Sequence, residues 1–339
     1  MKHTFETACL AFVLLACGDS GGGFPDGGMT GDSGGGPDGS MSGDGSMMDG
    51  AMPDGSTGNA IKTVFLIMME NHSWSDIKGS GSAPYINSLL SMGGHAEQYY
   101  TPAGNHPSEP NYIWIEAGDN LGITNDNDPS ANHQATTDHL VSQLQKANVT
   151  WRSYAEDISG TGCPQANAGL FAVRHVPQLF FDDVTSNLQS CQQHVRPYAE
   201  LANDLKNGTT ARFNFITPNL CDDMHGETFG TTCNIIASDL VKLGDTFLSK
   251  AIPAIQASTA YTNGGAIFIV WDEGSGVITG SDGPIPFLVL SPLAKTSYTS
   301  MTKYTHSSTL RTMETIFGVP YLRGAQTSND LSDFFMAFP

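Results

Sequence analysis

Two apolar runs, a nearly unbroken one at residues 61–69 and a continuous one at residues 266–271, constrain the fold more than any other feature of the sequence. Short continuous apolar runs are typical of strands that are covered on both faces, as in a parallel sheet. Residues 213–216 and 287–290 are shorter candidates of the same kind. Apolar residues recur at helical spacing between these runs and after the last of them. Strands alternating with helices predict an α/β fold, specifically an α/β/α sandwich with a mostly parallel central sheet.

The glycines of the chain are concentrated before this domain. Residues 18–58 contain 16 Gly and 7 Asp, and they contain no Lys or Arg. A segment with so few apolar side chains to bury does not offset the entropy lost on ordering its backbone. We therefore expect residues 18–58 to form a flexible acidic tether, with the folded domain at residues 59–339.

An apolar stretch at residues 8–16 precedes the tether. It is shorter than the roughly 20 residues needed to span a bilayer, and it has the length of a signal-peptide core. The sequence L-L-A-C at residues 14–17 resembles the lipobox of bacterial lipoproteins. We therefore predict a lipoprotein signal peptide at residues 1–17, lipidation of Cys17, and attachment to the bacterial outer membrane or cell surface. Ordinary secretion is the alternative.

The charge balance excludes one class of partner. The chain has 34 Asp+Glu against 15 Lys+Arg, for a formal net charge of −19. Nucleic-acid binding depends on clustered cations that release counterions from the phosphate backbone, so no nucleic-acid partner is expected.

Four cysteines lie in the predicted domain, namely Cys163, Cys191, Cys221 and Cys233. In an exported protein cysteines form lasting disulfides, and four of them allow three pairings. The simplest pairing is local, Cys163–Cys191 and Cys221–Cys233. A zinc site is the alternative, although the sequence has no C-x-x-C pair.

Acidic and amide side chains follow the two long apolar runs. Glu70 and Asn71 come directly after the first run, and Asp272 and Glu273 come directly after the second. The carboxyl ends of parallel strands meet at one edge of a sheet, where ligands bind. Hard oxygen ligands of this kind suit a divalent cation. An acid that ends a strand is also commonly a turn or helix cap.

Ser108 directly precedes a predicted helix, in the sequence N-H-P-S-E-P-N-Y. Spacing alone favours an N-cap role for it, and a nucleophile at a helix N-terminus is the alternative. His106, His225 and His306 each lie where a predicted strand or loop leads into a helix. The predicted domain at residues 59–339 has no P-loop, G-x-S-x-G or H-E-x-x-H motif, which argues against nucleotide switches, α/β-hydrolases and zincins.

Five motifs occur in the order found in a known family. They are V-F-L-I-M-M-E-N-H-S-W at 64–74, N-H-P-S-E-P-N-Y at 105–112, P-N-L-C-D-D-M-H at 218–225, W-D-E-G at 271–274 and T-H-S-S-T-L-R-T-M-E-T-I-F-G at 305–318. Over roughly residues 61–322 the chain thus resembles the phosphoesterases that include bacterial phospholipases C and acid phosphatases. These belong to the alkaline-phosphatase-like superfamily.

The resemblance implies an alkaline-phosphatase-like fold and a set of site residues. One divalent metal ion, of a kind the sequence leaves open, would be bound by Glu70, Asn71, Asp272 and Glu273. Ser108 would be the nucleophile and form phosphoserine. The phosphate would be surrounded by His106, His225 and His306, and the substrate would be reached by Arg174 and His175, which lie in A-V-R-H-V-P. His72, in the first motif, is left out of this catalytic set.

The motif around Ser108 also bears on the substrate. The form H-P-S-x-P-N-Y is closer to the acid phosphatase branch than the T-x-P-N-R form of the phospholipase C branch. We therefore expect hydrolysis of phosphate monoesters, with a small-molecule or lipid phosphoester as substrate and the membrane reached through the N-terminal anchor. The alternatives are a phospholipase C-like phosphodiesterase and a catalytically inert surface-binding lipoprotein on the same fold.

Overall fold

A computed structural model describes residues 60–226, 233, 239–275 and 282–339. The chain divides into two units, Met1–Gly55 and Ser56–Pro339, and every described residue belongs to the second. The predicted signal peptide, the lipidation site Cys17 and the tether at residues 18–58 lie outside the described residues, as does residue 59. Within the described ranges, no helix has the length and hydropathy needed to cross a membrane.

The core is a large mixed sheet whose strands are mostly parallel. As far as the described residues show, it has eight strands in the order β5-β4-β6-β1-β7-β8-β2-β9, and β3 and β10 form a separate pair. The strands are β1 (Thr63–Met69), β2 (Gly94–Ala96), β3 (Tyr99–Tyr100), β4 (Trp151–Ala155), β5 (Val195–Pro197), β6 (Phe213–Thr217), β7 (Gly265–Trp271), β8 (Phe287–Leu290), β9 (Tyr298–Ser300) and β10 (Tyr304–Thr305).

Helices flank the sheet and connect its strands. The α-helices are α1 (Trp74–Ile77), α2 (Pro84–Leu89), α3 (Ser108–Ala117), α4 (Pro129–Asn132), α5 (Leu140–Lys146), α6 (Asp182–Thr185), α7 (Leu188–His194), α8 (Leu201–Asn207), α9 (Leu240–Gln256), α10 (Thr259–Thr262) and α11 (His306–Phe317). Short 3₁₀ helices lie at Val173–His175, Pro177–Phe180, Tyr198–Glu200, Arg323–Gln326 and Ser332–Phe334.

The two long apolar runs form the centre of the sheet. Strand β1 pairs in parallel with β6 on one side and with β7 on the other. Every residue of β7 is buried, and so is every residue of β1 after Thr63. Strand β8 runs antiparallel to both β7 and β2. The prediction of an α/β fold with a mostly parallel central sheet is confirmed.

Helix α3, which begins at Ser108, is held in place at its C-terminal end. Gly118 ends the helix with a left-handed φ of 74°, and a Cβ atom there would lie 2.9 Å from the backbone oxygen of Leu322. The indole of Trp114 donates a hydrogen bond of 2.7 Å to the hydroxyl of Ser307 in α11. These contacts pack α3 against α11, and Ser108 lies at the opposite, N-terminal end of α3.

Both local cysteine pairs are disulfides in the structure. Cys163 is bonded to Cys191, and Cys221 is bonded to Cys233. All four thiols of the domain are thereby used, so they form no zinc site. Two disulfides fit an exported protein, since such bonds persist in oxidising compartments.

Candidate active site

Ser108 contacts the end of the central strand β1. The strand ends at Met69, which places the fully buried Glu70 at the carboxyl edge of the sheet. The hydroxyl of Ser108 donates a hydrogen bond of 2.9 Å to Oε2 of Glu70. The N-cap residue of α3 is Pro107, and no side chain caps this helix end. The Ser108 hydroxyl therefore contacts the sheet edge instead of capping its own helix.

The ends of β1 and β7 are joined by hydrogen bonds from Asn71. Its backbone N–H donates to Oδ1 of Asp272 at 3.0 Å, and its side-chain amide donates to Oε1 of Glu273 at 2.9 Å. Asn71 has a φ of 33°, an unusual conformation for a residue other than glycine, which functional sites tolerate. The four predicted metal ligands and Ser108 therefore meet at one place.

This place contains buried carboxylate oxygens without hydrogen-bond partners. They are Oε1 of Glu70, Oδ2 of Asp223 and Oδ2 of Asp272. Burial, followed by repulsion from Asp223, raises the pKa of Glu70 well above its usual value. Burial, followed by repulsion from Glu70, does the same to the pKa of Asp272. Within the described ranges, no three His, Cys, Asp or Glu side chains are already arranged as metal ligands. Uncompensated buried carboxylates nevertheless fit a hard divalent cation, which would offset the cost of burying them.

Asp223 is a site residue that the sequence interpretation missed. It lies in the loop after β6, where its backbone oxygen accepts a hydrogen bond of 2.9 Å from the backbone N–H of Glu70. Its Oδ1 accepts one of 2.7 Å from the backbone N–H of His225, and the next residue before His225, Met224, has a φ of 84°. The available signal was the acidic pair in D-D-M-H, which lies in the loop that follows β6.

His175 lies between two of these carboxylates. Its Nε2 is 3.2 Å from Oε1 of Glu70, and its Nδ1 is 3.2 Å from Oδ2 of Asp223. The imidazole stacks on the ring of Tyr112, with 4.9 Å between the centroids. Burial lowers the pKa of His175 well below its usual value. The residue that was predicted to reach the substrate thus contacts the carboxylate cluster directly.

Arg174 and His225 form a second pair beside the cluster. Nη2 of Arg174 is 3.3 Å from Nε2 of His225. Burial, together with the neighbouring guanidinium, lowers the pKa of His225. On its other side Arg174 has Nε 3.7 Å from Oδ2 of Asp126, whose Oδ1 accepts a hydrogen bond of 2.9 Å from the backbone N–H of Glu109. Asp126, which the sequence interpretation also missed, therefore connects Arg174 to the first turn of α3.

His106 lies at the opening of the site. Its Nδ1 is 2.6 Å from Oε2 of Glu273, and its Nε2 is 3.2 Å from Oδ2 of Asp282. A cavity of about 640 Å³ is lined by His106 together with Asn71, Pro107, Thr124, Glu273, Gly274 and Ser275. Three of the predicted site residues thus line one cavity.

His306 occupies a different position from the other histidines. It is completely buried, with Nε2 2.6 Å from the backbone oxygen of Asp272 and Nδ1 3.2 Å from the hydroxyl of Tyr99. Burial lowers its pKa to about 4, so the ring is neutral at neutral pH. Because a carbonyl accepts hydrogen bonds, Nε2 carries the proton and donates it. His306 was predicted to surround the phosphate, but in this structure it holds the backbone of Asp272.

Comparison with known proteins identifies the family. The model of the phosphoesterase family matches residues 80–320, which is most of the chain. This protein belongs to the phosphoesterase family. It is 29% identical to the phosphatidylinositol-3-phosphatase of Mycobacterium tuberculosis, over 84% of this chain and 87% of that protein. It is also 29% identical to an acid phosphatase of Aspergillus fumigatus, over 51% of this chain and 39% of that protein.

Solved structures of other proteins share the fold of this phosphoesterase. A member of the alkaline phosphatase superfamily from Vibrio parahaemolyticus aligns with a TM-score of 0.50 at 12% identity, over 81% of this chain and 72% of that one. A sulfatase from Pseudoalteromonas sp. aligns with a TM-score of 0.52 at 12% identity, over 82% and 72% of the two chains. The fold is that of the alkaline-phosphatase superfamily, and the family and its phosphatase relatives make this chain a phosphoric ester hydrolase.

Proposed function

We propose that this protein hydrolyses phosphate monoesters through a phosphoserine intermediate on Ser108, with the assistance of one divalent cation. The observation that carries the proposal is the 2.9 Å hydrogen bond from the Ser108 hydroxyl to Glu70, in a cluster of buried carboxylates that each have one oxygen without a hydrogen-bond partner. The names of the relatives, a phosphatidylinositol-3-phosphatase and acid phosphatases, support monoesters over diesters.

The cation would be held by Glu70, Asn71, Asp272 and Glu273. Their oxygens are the hard ligands that divalent cations prefer. When bound, such a cation stabilises negative charge on a phosphoryl group and lowers the pKa of a neighbouring hydroxyl.

Ser108 supplies the nucleophilic oxygen. In the first step the Oγ proton passes to Glu70, a bond forms between Oγ and the phosphorus, and the ester P–O bond breaks with its electron pair on the departing alcohol oxygen. In the second step water displaces Oγ, which regains its proton. The N-terminus of α3, where Ser108 lies, favours a bound anion because of the helix dipole. The hydrogen bond to Glu70 fixes the direction of Oγ before the attack.

The surrounding side chains bind the phosphate, protonate the leaving group and position the backbone. Arg174 and His225 bind the non-bridging phosphate oxygens, since they form a polar pair beside the nucleophile helix. His106 gives the departing oxygen its proton because it lines the cavity and is held between Glu273 and Asp282. His306 positions the Asp272 backbone through the hydrogen bond from its Nε2.

The same proposal includes a location outside the cytoplasm. Acylated Cys17 would attach the enzyme to a membrane, and the tether at residues 18–58 would separate the domain from it. Secretion without an anchor is the alternative, and the disulfides fit both. A lipid phosphomonoester in the same membrane would then be within reach, as the name of the mycobacterial relative suggests.

A substrate panel tests the proposal. Full-length protein would be assayed in detergent with phenyl phosphate, diphenyl phosphate and phosphatidylcholine, with and without a chelator, and after restoring divalent cations. We expect phenyl phosphate to be hydrolysed fastest, with activity lost on chelation and regained with a cation. Faster release of phosphocholine than of phenol would favour the phosphodiesterase, and no turnover of any ester would favour the inert lipoprotein.

A further inference from the structure

A second cavity, separate from the one that contains Asn71 and Glu273, also opens at His106. It has a volume of about 530 Å³, within the usual range for small-molecule sites. Its lining includes His106, Tyr100, Asp282 and Lys303. Because His106 lines both cavities, a molecule that binds beside His106 in the first has space for its other end in the second.

Lys303 gives this second cavity a positive charge. Its ammonium group lies 5.2 Å from the centroid of the Tyr100 ring. Lys303 directly precedes β10, and β10 pairs with β3 in the register Thr305 to Tyr100, which brings the lysine beside the aromatic ring. Among the ion pairs formed by described residues, none involves Lys303. Its charge is therefore available to a ligand.

Asp282 is the carboxylate that lines the same cavity, and it has other partners. Its Oδ2 is 3.2 Å from Nε2 of His106 and also accepts a hydrogen bond from the backbone N–H of Gly274. In a chain of formal charge −19, a lysine beside the reaction cavity is a local exception that attracts negatively charged groups.

We propose that this second cavity is a leaving-group subsite that binds an anionic substituent on the alcohol portion of the substrate. The ammonium of Lys303 would pair with the anion, and the ring of Tyr100 would contact the apolar part of the leaving group. The inference rests on the proposed function, since it assumes that a phosphate monoester is hydrolysed beside His106. On this proposal Lys303 is a specificity-determining residue. The preferred substrate is a phosphate monoester that has a second negatively charged group on its alcohol portion.

Matched aryl phosphates test this subsite. The substrates are 4-carboxyphenyl phosphate and 4-carbamoylphenyl phosphate, which have similar shapes and differ in charge, together with the 3-substituted pair. The measurement is the ratio of kcat/KM for the carboxylate to that for the amide. We expect this ratio to be about two- to fivefold lower in Lys303→Gln than in the wild type for at least one pair. An effect of this size is typical of an exposed ion pair.

Two further variants sharpen the result. Lys303→Glu should lower the ratio further, because it replaces attraction by repulsion. Lys295→Gln is the matched control, since the Lys295 ammonium lies 4.8 Å from the Tyr298 ring and Lys295 does not line this cavity. Its ratio should equal that of the wild type.

The possible outcomes distinguish failure of the subsite proposal from failure of the proposed function. If the wild type hydrolyses none of the four esters, the proposed function fails. If it hydrolyses them and the ratios of wild type, Lys303→Gln and Lys303→Glu agree within error for both pairs, the subsite is overturned while the function stands. A ratio that falls equally in Lys295→Gln also overturns it, because the effect would then belong to net charge.

Discussion

The hydroxyl of Ser108 lies 2.9 Å from a carboxylate oxygen of Glu70, although 38 residues separate the two in sequence. Glu70 is placed by the end of the central strand β1, and Ser108 by the first turn of α3. The proposed nucleophile lies at a helix terminus and the buried acid at a strand end, so both are rigidly supported. This geometry favours catalysis, since little reorganisation is needed at the moment of reaction.

Removing the charge of Asp126 should weaken substrate binding more than turnover. Asp126→Asn keeps an oxygen for the backbone N–H of Glu109 and removes the anion 3.7 Å from Arg174. We expect KM for phenyl phosphate to rise roughly three- to tenfold, with a smaller change in kcat. Asp128→Asn, two residues away, is the matched control and should have wild-type KM. A KM that does not change in Asp126→Asn would show that Arg174 needs no support from this loop.

Divalent cations should raise the melting temperature of the protein through the carboxylate cluster. A cation at about 100 times its Kd adds roughly 2.7 kcal/mol to the free energy of unfolding. Asp272→Asn should lose most of this gain, because it removes one negative charge from the cluster. Asp245→Asn is the control, since Asp245 is a buried carboxylate elsewhere that also accepts hydrogen bonds from backbone N–H groups. Equal cation-induced shifts in both variants would place the cation elsewhere.

The central strands and the strand-end acids were predictable because their signals are local. Strands β1 and β7 are covered on both faces, so they are continuous apolar runs, and the residues after them follow directly along the chain. The predicted helices α5, α9 and α11 are amphipathic for the same kind of reason.

The strands away from the centre were not predictable from hydrophobicity. Strand β4 includes Arg152 and Ser153, and β2, β5 and β9 have three residues each. Short or polar strands take their conformation from neighbouring strands and not from their own sequence.

The features of the site that the sequence did not indicate depend on contacts distant in sequence. The orientation of His306 is set by Tyr99 and by the backbone of Asp272, and the role of Asp126 is set by Arg174. No spacing rule connects these positions, because loop packing brings them together. A residue type in a motif therefore indicates the site and does not indicate which neighbour the side chain contacts.

The stability of the protein should fall as pH rises towards 8, because of one buried carboxyl group in α11. Glu314 is buried in α11, where its Oε1 accepts a hydrogen bond from the backbone N–H of Leu322 and its Oε2 has no partner. Burial raises its pKa from 4.5 to about 8. The folded state therefore holds a proton that the unfolded state releases, so between pH 4.5 and 8 this group lowers stability by roughly 1.4 kcal/mol per pH unit.

Glu314→Gln removes this dependence while keeping an acceptor for Leu322. Urea unfolding at pH 5 and pH 8.5 measures it, and the variant should gain stability relative to the wild type at the higher pH. Parallel stability changes in the two proteins would contradict the assignment of this titration to Glu314.

The disulfides should support both stability and the loops that carry site residues. The Cys221–Cys233 pair adjoins Asp223 and His225, and the Cys163–Cys191 pair encloses Arg174 and His175. Replacing either pair by serines should cost about 3 kcal/mol, and the longer loop should cost about 0.7 kcal/mol more because closure entropy grows with loop length. Chemical denaturation measures both. A larger loss for the shorter loop would show that native packing, not loop closure, dominates.

Detection of phosphate on Ser108 tests the central claim most directly. Wild-type protein would be mixed with phenyl phosphate, quenched in acid during turnover, digested and examined by mass spectrometry, with Ser108→Ala in parallel. We expect phosphate on the wild-type peptide that contains Ser108, and loss of that peptide and of nearly all turnover in Ser108→Ala. Turnover at the wild-type rate in Ser108→Ala, with no phosphoserine in either protein, would contradict the account.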